Sequence, residues 1–413
     1  MRSKKMLARA LGVESAVCGR VEELVEEPGF VVHVRLRARD KSRCPECQRV
    51  CAGYDQGRTR RRWRTHSLGL GKTFVQATVP RVRCPEHGIL VAYVPWARPR
   101  SRFTASFEDM LAWLTLRTDR TTVCSLHQVA WRTVGAILVR VGDEMRAQAP
   151  PLEDVTRIGI DEVSYRKGHR YLTIVVDHDT GRLLWAHPGH DRKTLRKFFK
   201  RLGKRRCRKI QLVSADAASW IATVVREMCP NAKRCMDPFH VVAWVTKALD
   251  KVRRALWNKL RKRGEMERAA SMKGSRWALL KNPERLTKRQ RSTLAQLKAD
   301  NRDLFAAYLL KEQLRDVFKS KDWQGVIMLR WWVDAARKSR LAPFKRVADS
   351  IEKHFDAIDA ALLNGLSNGR LEGVNTKLTL LTRLAYGFHS HKPLIALAMM
   401  KLGGLCPALP QLE

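Results

Sequence analysis

The hydrophobic pattern changes period several times along the chain, and each change marks a boundary. Residues 1–95 open with a short helical segment and continue as alternating, β-type sequence. The alternation is clearest at Val31-Val32-His33-Val34-Arg35-Leu36-Arg37 and returns around Arg60-Arg61-Arg62-Trp63-Arg64. A stiff basic linker, Pro95 to Pro99, follows. From 100 to 148 the apolar spacing becomes helical, which predicts helices over 103–117, 121–127 and 130–141. Residues 155–240 mix the two periods, with strands predicted at 157–162, 171–176, 182–187, 210–215 and 232–236 and helices at 191–202 and 218–228. From 241 to 366 the pattern is helical throughout. The last segment, 367–413, begins with the helix-start triplet Ser367-Asn368-Gly369 and then sets Val374, Leu378, Leu381, Ala385 and Phe388 on one stripe, with Glu372, Asn375 and Thr379 on the other face. An α+β multidomain chain follows.

The mixed segment carries the candidate chemistry. Its order, three antiparallel strands followed by helix, strand, helix and strand, is that of a ribonuclease-H-like sheet, with Asp161 on the first strand and Asp216 at the end of the fourth. In that arrangement the two carboxylates lie side by side. Such a pair is costly unless a cation holds both, and Mg²⁺ is the natural one. Two metal ions can activate an attacking oxygen and stabilise a leaving oxygen of a phosphodiester, and they need a third acidic ligand. Glu372 supplies the third carboxylate. An acidic residue in a first helical turn otherwise serves the helix dipole, and a strand-end aspartate is otherwise structural.

Charge narrows the partner. In 413 residues, 80 Lys+Arg stand against 40 Asp+Glu, a formal net charge of +40. Self-repulsion of that size points to a polyanion, nucleic acid first and a membrane surface second. No uncharged apolar run is long enough to span a bilayer, and the N-terminus has no signal-peptide core, so a soluble cytoplasmic protein associated with the nucleoid is expected. The ten cysteines include a single Cys-x-x-Cys, which suits a metal site better than a disulfide framework. Cys44-Pro-Glu-Cys47 and Cys84-Pro-Glu-His87 are two tight knuckles separated by β-type sequence, the arrangement of a tetrahedral zinc ribbon with Cys44, Cys47, Cys84 and His87 as ligands. Cys51 and His66 are alternatives for the fourth position. The helices of 100–148 fit a helix-turn-helix, or any small helical bundle. In the first case the third helix, opening with Trp131, Arg132 and Thr133, enters the major groove, and Arg61, Arg62 and Arg64 add basic contacts.

Gly159-Ile-Asp161-Glu, Val213-Ser-Ala-Asp216, Asp237-Pro-Phe-His240, and Ser367-Asn-Gly-Arg-Leu-Glu372-Gly-Val-Asn375 with Arg383-Leu-Ala-Tyr-Gly-Phe388 resemble the ISL-three family of bacterial insertion-sequence transposases. The likeness covers nearly the whole chain, including both knuckles and the closing Lys401-Leu-Gly-Gly. It implies a DDE transposase in which Asp161, Asp216 and Glu372 bind Mg²⁺ or Mn²⁺, Asp237 and His240 support the site, and Arg370 and Asn375 neighbour the metals or the scissile strand. It further implies recognition of terminal inverted repeats, strand cleavage and transfer to target DNA, and a homodimer or higher assembly when two ends synapse. The departures are His87, where a cysteine is commoner, and Ala215 and Ala217, where bulkier residues are usual.

The helical stretch 241–366 then reads as an insertion that splits the catalytic domain. It interleaves basic residues with Trp244, Trp257, Trp277, Trp323, Trp331 and Trp332. Strand tracking with base stacking suits such a composition, but most of the six are expected in helix cores. Trp331 and Trp332 cannot both face one core. A ribonuclease-H-like nuclease or resolvase, and a DNA-binding regulator derived from a transposase, are the competing readings. The regulator could lose any of the three carboxylates, and this chain has all of them.

Overall fold

The computed structural model describes residues 2–25, 27–57, 59–69, 71–166, 168–216, 218–320, 322–366 and 369–409. Ala217 and the helix-start residues Ser367 and Asn368 lie outside that set. The chain divides into two compact units, Met1–Pro150 with Leu378–Glu413, and Pro151–Lys377. The segment expected as one closing piece, 367–413, is thus shared, with the division inside a helix. Among the described residues no helix is long and apolar enough to cross a membrane.

The first unit begins with helix α1 (Arg2–Ala10) and strands β1 (Val17–Glu23), β2 (Gly29–Arg35), β3 (Ala52–Asp55), β4 (Arg60–Leu68), β5 (Gly71–Thr78), β6 (Arg81–Cys84) and β7 (Gly88–Val91). They form two sheets, β1-β2-β5-β4 and β3-β6-β7. Leu11, Val32, Trp63, Val75, Val82 and Trp96 fill the core between them. Helices α2 (Ala105–Thr115), α3 (Arg120–His127) and α4 (Trp131–Gln148) follow. Asp119 caps α3 by accepting from the Thr122 N–H, and Gln128, left-handed at φ 48°, ends it. Buried Val129 fills the turn before α4.

The second unit is built on a five-stranded sheet. Strands β8 (Arg157–Arg166), β9 (Arg170–Asp177), β10 (Leu183–Pro188), β11 (Leu212–Ala215) and β12 (Lys233–Met236) run in the order β10-β9-β8-β11-β12. The first three are antiparallel, while β11 pairs parallel with both β8 and β12. Helices α5 (Arg192–Leu202), α6 (Lys204–Cys207) and α7 (Ser219–Met228) connect them. Ile158, Ile160, Val175, Phe198, Phe199 and Val213 form the core between helices and sheet. The short apolar runs predicted this sheet closely, because a strand buried on both faces reads as a continuous apolar run.

From Pro238 to Asn364 the described residues are helical, apart from loops and one short 3-10 turn: α8 (Pro238–Lys262), α9 (Met266–Gly274), α10 (Arg276–Leu280), α11 (Lys288–Asp300), α12 (Arg302–Lys319), α13 (Asp322–Lys338), α14 (Ala342–Lys353) and α15 (Phe355–Asn364). Their common core includes Leu249, Leu314, Leu329, Trp332, Phe344 and Ile351. Adjacent Trp331 and Trp332 separate as helical geometry requires. Trp332 is 3% exposed and donates Nε1–H to the Leu310 carbonyl at 2.7 Å, whereas Trp331 is 70% exposed. The expectation that most of the tryptophans are core residues needs correction: Trp244 and Trp257 pack against the core, but Trp277 and Trp323 are exposed with Trp331. α15 brings the chain back to the sheet, where Ala360, Ala361 and Leu366 cluster with Leu212 and Cys235. Helix α16 (Gly369–Leu384) starts from that point, and α17 (His391–Leu402) packs on α4, Ala396 lying against Gly142. The predicted stripe of Val374, Leu378, Leu381, Ala385 and Phe388 is buried in full.

Candidate functional site

Parallel pairing of β8 with β11 sets the site. Ile160 is in register with Ala215, so the next residue on each strand is an aspartate, Asp161 and Asp216, on neighbouring strands spaced about 4.8 Å apart. Asp161 accepts a hydrogen bond from Asn375 Nδ2 at 2.6 Å and another from the Glu162 N–H at 2.7 Å. Burial, with the Asp216 charge adding to it, pushes the Asp161 carboxyl above the usual range against those two bonds. Burial and the same two aspartates also raise Glu162. His240, in the first turn of α8, ion-pairs through Nε2 with Asp216 Oδ1, and that hydrogen bond holds its pKa up. Asp237 caps α8, accepting from the Phe239 N–H at 3.2 Å, and adds negative charge near His240.

α16 reaches this place through a close approach. A Cβ on Gly159 would stand 2.1 Å from Leu371 Cδ1, so only glycine lets the helix lie against β8 there. Asn375 comes to Asp161 one turn further on, and its own Oδ1 is buried without a hydrogen-bond partner. Glu372 is exposed, one helical turn before Asn375. Its carboxylate is not drawn into a tight cluster with the aspartates. Among the described residues, the only set of three or more His, Cys, Asp or Glu ligand atoms mutually within 4.8 Å is Cys44, Cys47, Cys84 and His87.

That set has the dimensions of a tetrahedral metal site. Cys47 Sγ lies 3.7 Å from Cys84 Sγ, and His87 Nδ1 lies 3.5 Å from Cys84 Sγ and 3.8 Å from Cys44 Sγ. Zinc bonds of about 2.0–2.3 Å at tetrahedral angles give edges of about 3.5–3.8 Å. The β6–β7 turn makes this possible, since Cys84 pairs with Gly88, whose φ of +73° suits glycine, and His87 sits between them. Burial pushes the Cys84 thiol up, but hydrogen bonds from His87 and the Glu86 and His87 N–H groups outweigh it and bring it down to about 6. Neither spare candidate belongs to that set: Cys51 borders it, bonding Cys84 and donating to the Arg49 carbonyl at 3.4 Å, and His66 bonds Ser106 Oγ at 2.6 Å.

Family models match three stretches of this architecture. A DDE-type ISL3 model described as transposase matches residues 158–398, more than half of the chain. The chain belongs to the ISL3 family of transposases. The helix-turn-helix domain of transposase family ISL3 matches residues 93–142, and the zinc-finger of transposases IS204/IS1001/IS1096/IS1165 matches residues 40–87. The transposase for insertion sequence element IS1557 from Mycobacterium tuberculosis (strain ATCC 25618 / H37Rv) is 46% identical over 99% of this chain and 98% of its own length. The transposase for insertion sequence element IS1001 from Bordetella parapertussis is 27% identical over 95% of this chain and 96% of its own. The transposase therefore carries a zinc ribbon with a Cys₃His site, followed by a helix-turn-helix formed from α2, α3 and α4.

Several expected contacts of this transposase stand elsewhere. Arg64, expected at DNA, is buried between the faces of Phe74 and Phe107, its guanidinium carbon 5.7 Å from each ring centre, and it bonds Ser67 Oγ at 3.2 Å. The reason is cover: residues 102–104 pair with the Arg64 main chain and close the face that an isolated hairpin would leave to solvent. Arg61 and Arg62 remain exposed. Trp131 is half-buried between Arg120 and His389, Thr133 is half-buried, and Arg132 is exposed. Arg370 does not face the carboxylates; it donates to the carbonyls of His178 and Asp179 and anchors the start of α16 to the end of β9.

Arg234 was missed by sequence reasoning. From β12 its guanidinium donates to the Asp216 carbonyl, and its Nε is buried without a partner. An arginine inside a four-residue strand otherwise closed by buried Cys235 and Met236 is the signal that could have found it.

Proposed function

We propose that this transposase binds the terminal inverted repeats of its own insertion sequence and carries out divalent-metal-dependent strand cleavage followed by transfer of the freed 3′-hydroxyl to target DNA. The observation that carries the reading is the pair of aspartates on adjacent parallel strands, one held by Asn375 and the other by His240. The strand order β10-β9-β8-β11-β12 and the helical run between β12 and α16 suit a ribonuclease-H-like domain split by a helical insertion.

The donor set fits Mg²⁺ or Mn²⁺. Two neighbouring carboxylates and an orphaned amide oxygen, Asn375 Oδ1, are hard oxygen donors of the kind these hydrated ions prefer. Asp161 and Asp216 would hold the metal, with Glu372 as third ligand once α16 turns that carboxylate inward. Bound there, the metal supplies Lewis-acid polarisation of the scissile phosphate. The carboxylates act as ligands; water and then the 3′-hydroxyl are the nucleophiles, so no covalent protein intermediate forms. His240 neutralises the outer oxygen of Asp216, and Asn375 orients Asp161. Synapsis of two ends calls for at least a homodimer.

Labelled terminal-repeat duplex incubated with the protein and Mg²⁺ tests this reading. Strand-transfer joints that vanish in Asp161→Asn, Asp216→Asn and Glu372→Gln support it. Nicks without joining support a nuclease instead. Binding without cleavage, indifferent to Glu372→Gln, supports a regulator.

A further inference from the structure

The helix-turn-helix contains a buried cation with no counter-ion. Arg120, the first residue of α3, is 3% exposed. Its guanidinium lies 3.5 Å from the centre of the Trp131 ring and donates to the Trp131 carbonyl, while its Nε has no hydrogen-bond partner. Among the described residues no carboxylate pairs with it, and burial lowers its pKa to about 10. Gly135 makes room for it: a Cβ there would stand 2.3 Å from a terminal guanidinium nitrogen. A buried charge without a partner is costly to keep.

Arg120 lines an open cavity of about 770 Å³ between α3, α4 and residues 388–393. Three more basic side chains, Arg132, His389 and Lys392, line the same cavity. All three are exposed, and among the described residues none pairs with a carboxylate. The N-terminus of α4 opens there as well. Its N-cap is Ala130, which has no side chain to accept from the first N–H groups; the Thr133 N–H bonds the Ala130 carbonyl, and the two N–H groups before it suit an anion. Ala136 and Pro393 contribute an apolar wall.

We infer that this cavity is a phosphate seat, taking one backbone phosphodiester of the DNA held by the helix-turn-helix, with the adjoining deoxyribose against Ala136 and Pro393. The seat rests on the reading of the chain as a DNA-binding transposase and adds residues 388–393 to its DNA-binding surface. Trp131 is then the platform that holds Arg120 rather than a base-reading residue. Contacts of this kind position a duplex without reading its sequence.

The test is fluorescence anisotropy of full-length protein with terminal-repeat and scrambled duplexes across a salt series. Lys392→Ala, on the exposed rim, leaves folding intact, and Arg120→Met probes the floor. Loss of one phosphate contact lowers the slope of log K against log salt by about 0.9, so the change in Kd between 50 and 200 mM salt shrinks about 3.5-fold. Both variants are expected to show this on both duplexes, and the double variant no more than either alone. A methylphosphonate scan of the duplex is expected to reveal one linkage whose neutralisation weakens wild type and leaves Lys392→Ala unchanged. Wild-type slopes in Lys392→Ala, with no such linkage, overturn the phosphate seat while the DNA-binding reading stands. Wild-type protein that binds neither duplex overturns both.

Discussion

Gly159→Ala is the most direct perturbation of the link between fold and site. The new Cβ would meet Leu371 Cδ1 at 2.1 Å, Leu371 Cγ at 2.9 Å and His178 Nε2 at 3.0 Å. Carbon atoms pack at about 3.5–4.0 Å, and Leu371 is fully buried, so its side chain has no open direction in which to retreat. Overpacking of this kind costs about 1–3 kcal/mol, and the readiest relief is for α16 to lift from β8. Such a shift breaks the 2.6 Å bond between Asn375 and Asp161. The variant is therefore expected to melt about 4–8 °C lower for a loss of about 2 kcal/mol, and to lose terminal-repeat nicking while still binding DNA. Leu371→Ala alone costs about 2–5 kcal/mol but removes both clashing carbons. In that background only the 3.0 Å approach to His178 Nε2 remains, so Gly159→Ala costs much less, giving a coupling of about 1–3 kcal/mol in a double-mutant cycle followed by thermal and urea unfolding. Equal costs in the two backgrounds, or full nicking activity in Gly159→Ala, would refute the close approach as the device that seats α16.

Four further outcomes are expected. Zinc analysis of purified protein gives one Zn²⁺ per chain, and Cys84→Ser abolishes it together with the highest-melting transition of the N-terminal domain, whereas Cys51→Ser retains it. Arg234→Met leaves DNA binding unchanged and weakens Mn²⁺ binding about 10–100-fold, as loss of support behind the proposed metal ligand Asp216 does, with partial recovery in Arg234→Lys. Burial, reinforced by the Arg370 charge, holds His178 down at about 4 against an ordinary 6.5. Between those values the unfolded chain takes up a proton that the folded chain refuses, so stability is full above about pH 6.5 and falls by up to about 3 kcal/mol as pH drops to 4, a slope that His178→Gln flattens in pH-dependent unfolding. Trp332→Phe, which removes the Nε1–H bond that the Leu310 carbonyl accepts beside its helical one, costs about 0.5–1.5 kcal/mol in urea unfolding, while Trp331→Ala stays within about 0.5 kcal/mol.

Much of this molecule is legible in one dimension. The strands around 171–176 and 182–187, the helix over 191–202 and the buried stripe of α16 follow from periods of two and 3.6 residues, which depend only on backbone geometry and on which face meets a core. The two knuckles are equally local, because each pair of ligands is three residues apart and a single turn presents both. The adjacency of Asp161 and Asp216 was also foreshadowed, because each follows a short apolar run that becomes a strand, β8 and β11, and these two strands pair in register.

Contacts that depend on how finished elements pack were not readable. Asn375 meets Asp161 across 214 residues because Leu371 fits over Gly159, and Arg234 reaches the Asp216 carbonyl because β11 and β12 pair in parallel. Arg64 reads as a solvent-facing basic residue until residues 102–104 cover it, and the exclusion of Cys51 and His66 from the Cys₃His cluster depends on how the two knuckles meet. The sequence by itself determined the elements, their order and the residue types that can hold metals and DNA, since these follow from local periodicity and side-chain chemistry. The tertiary structure alone decided which of those residues meet, because strand register, helix seating and the cover of a surface are set by contacts between segments far apart in the chain.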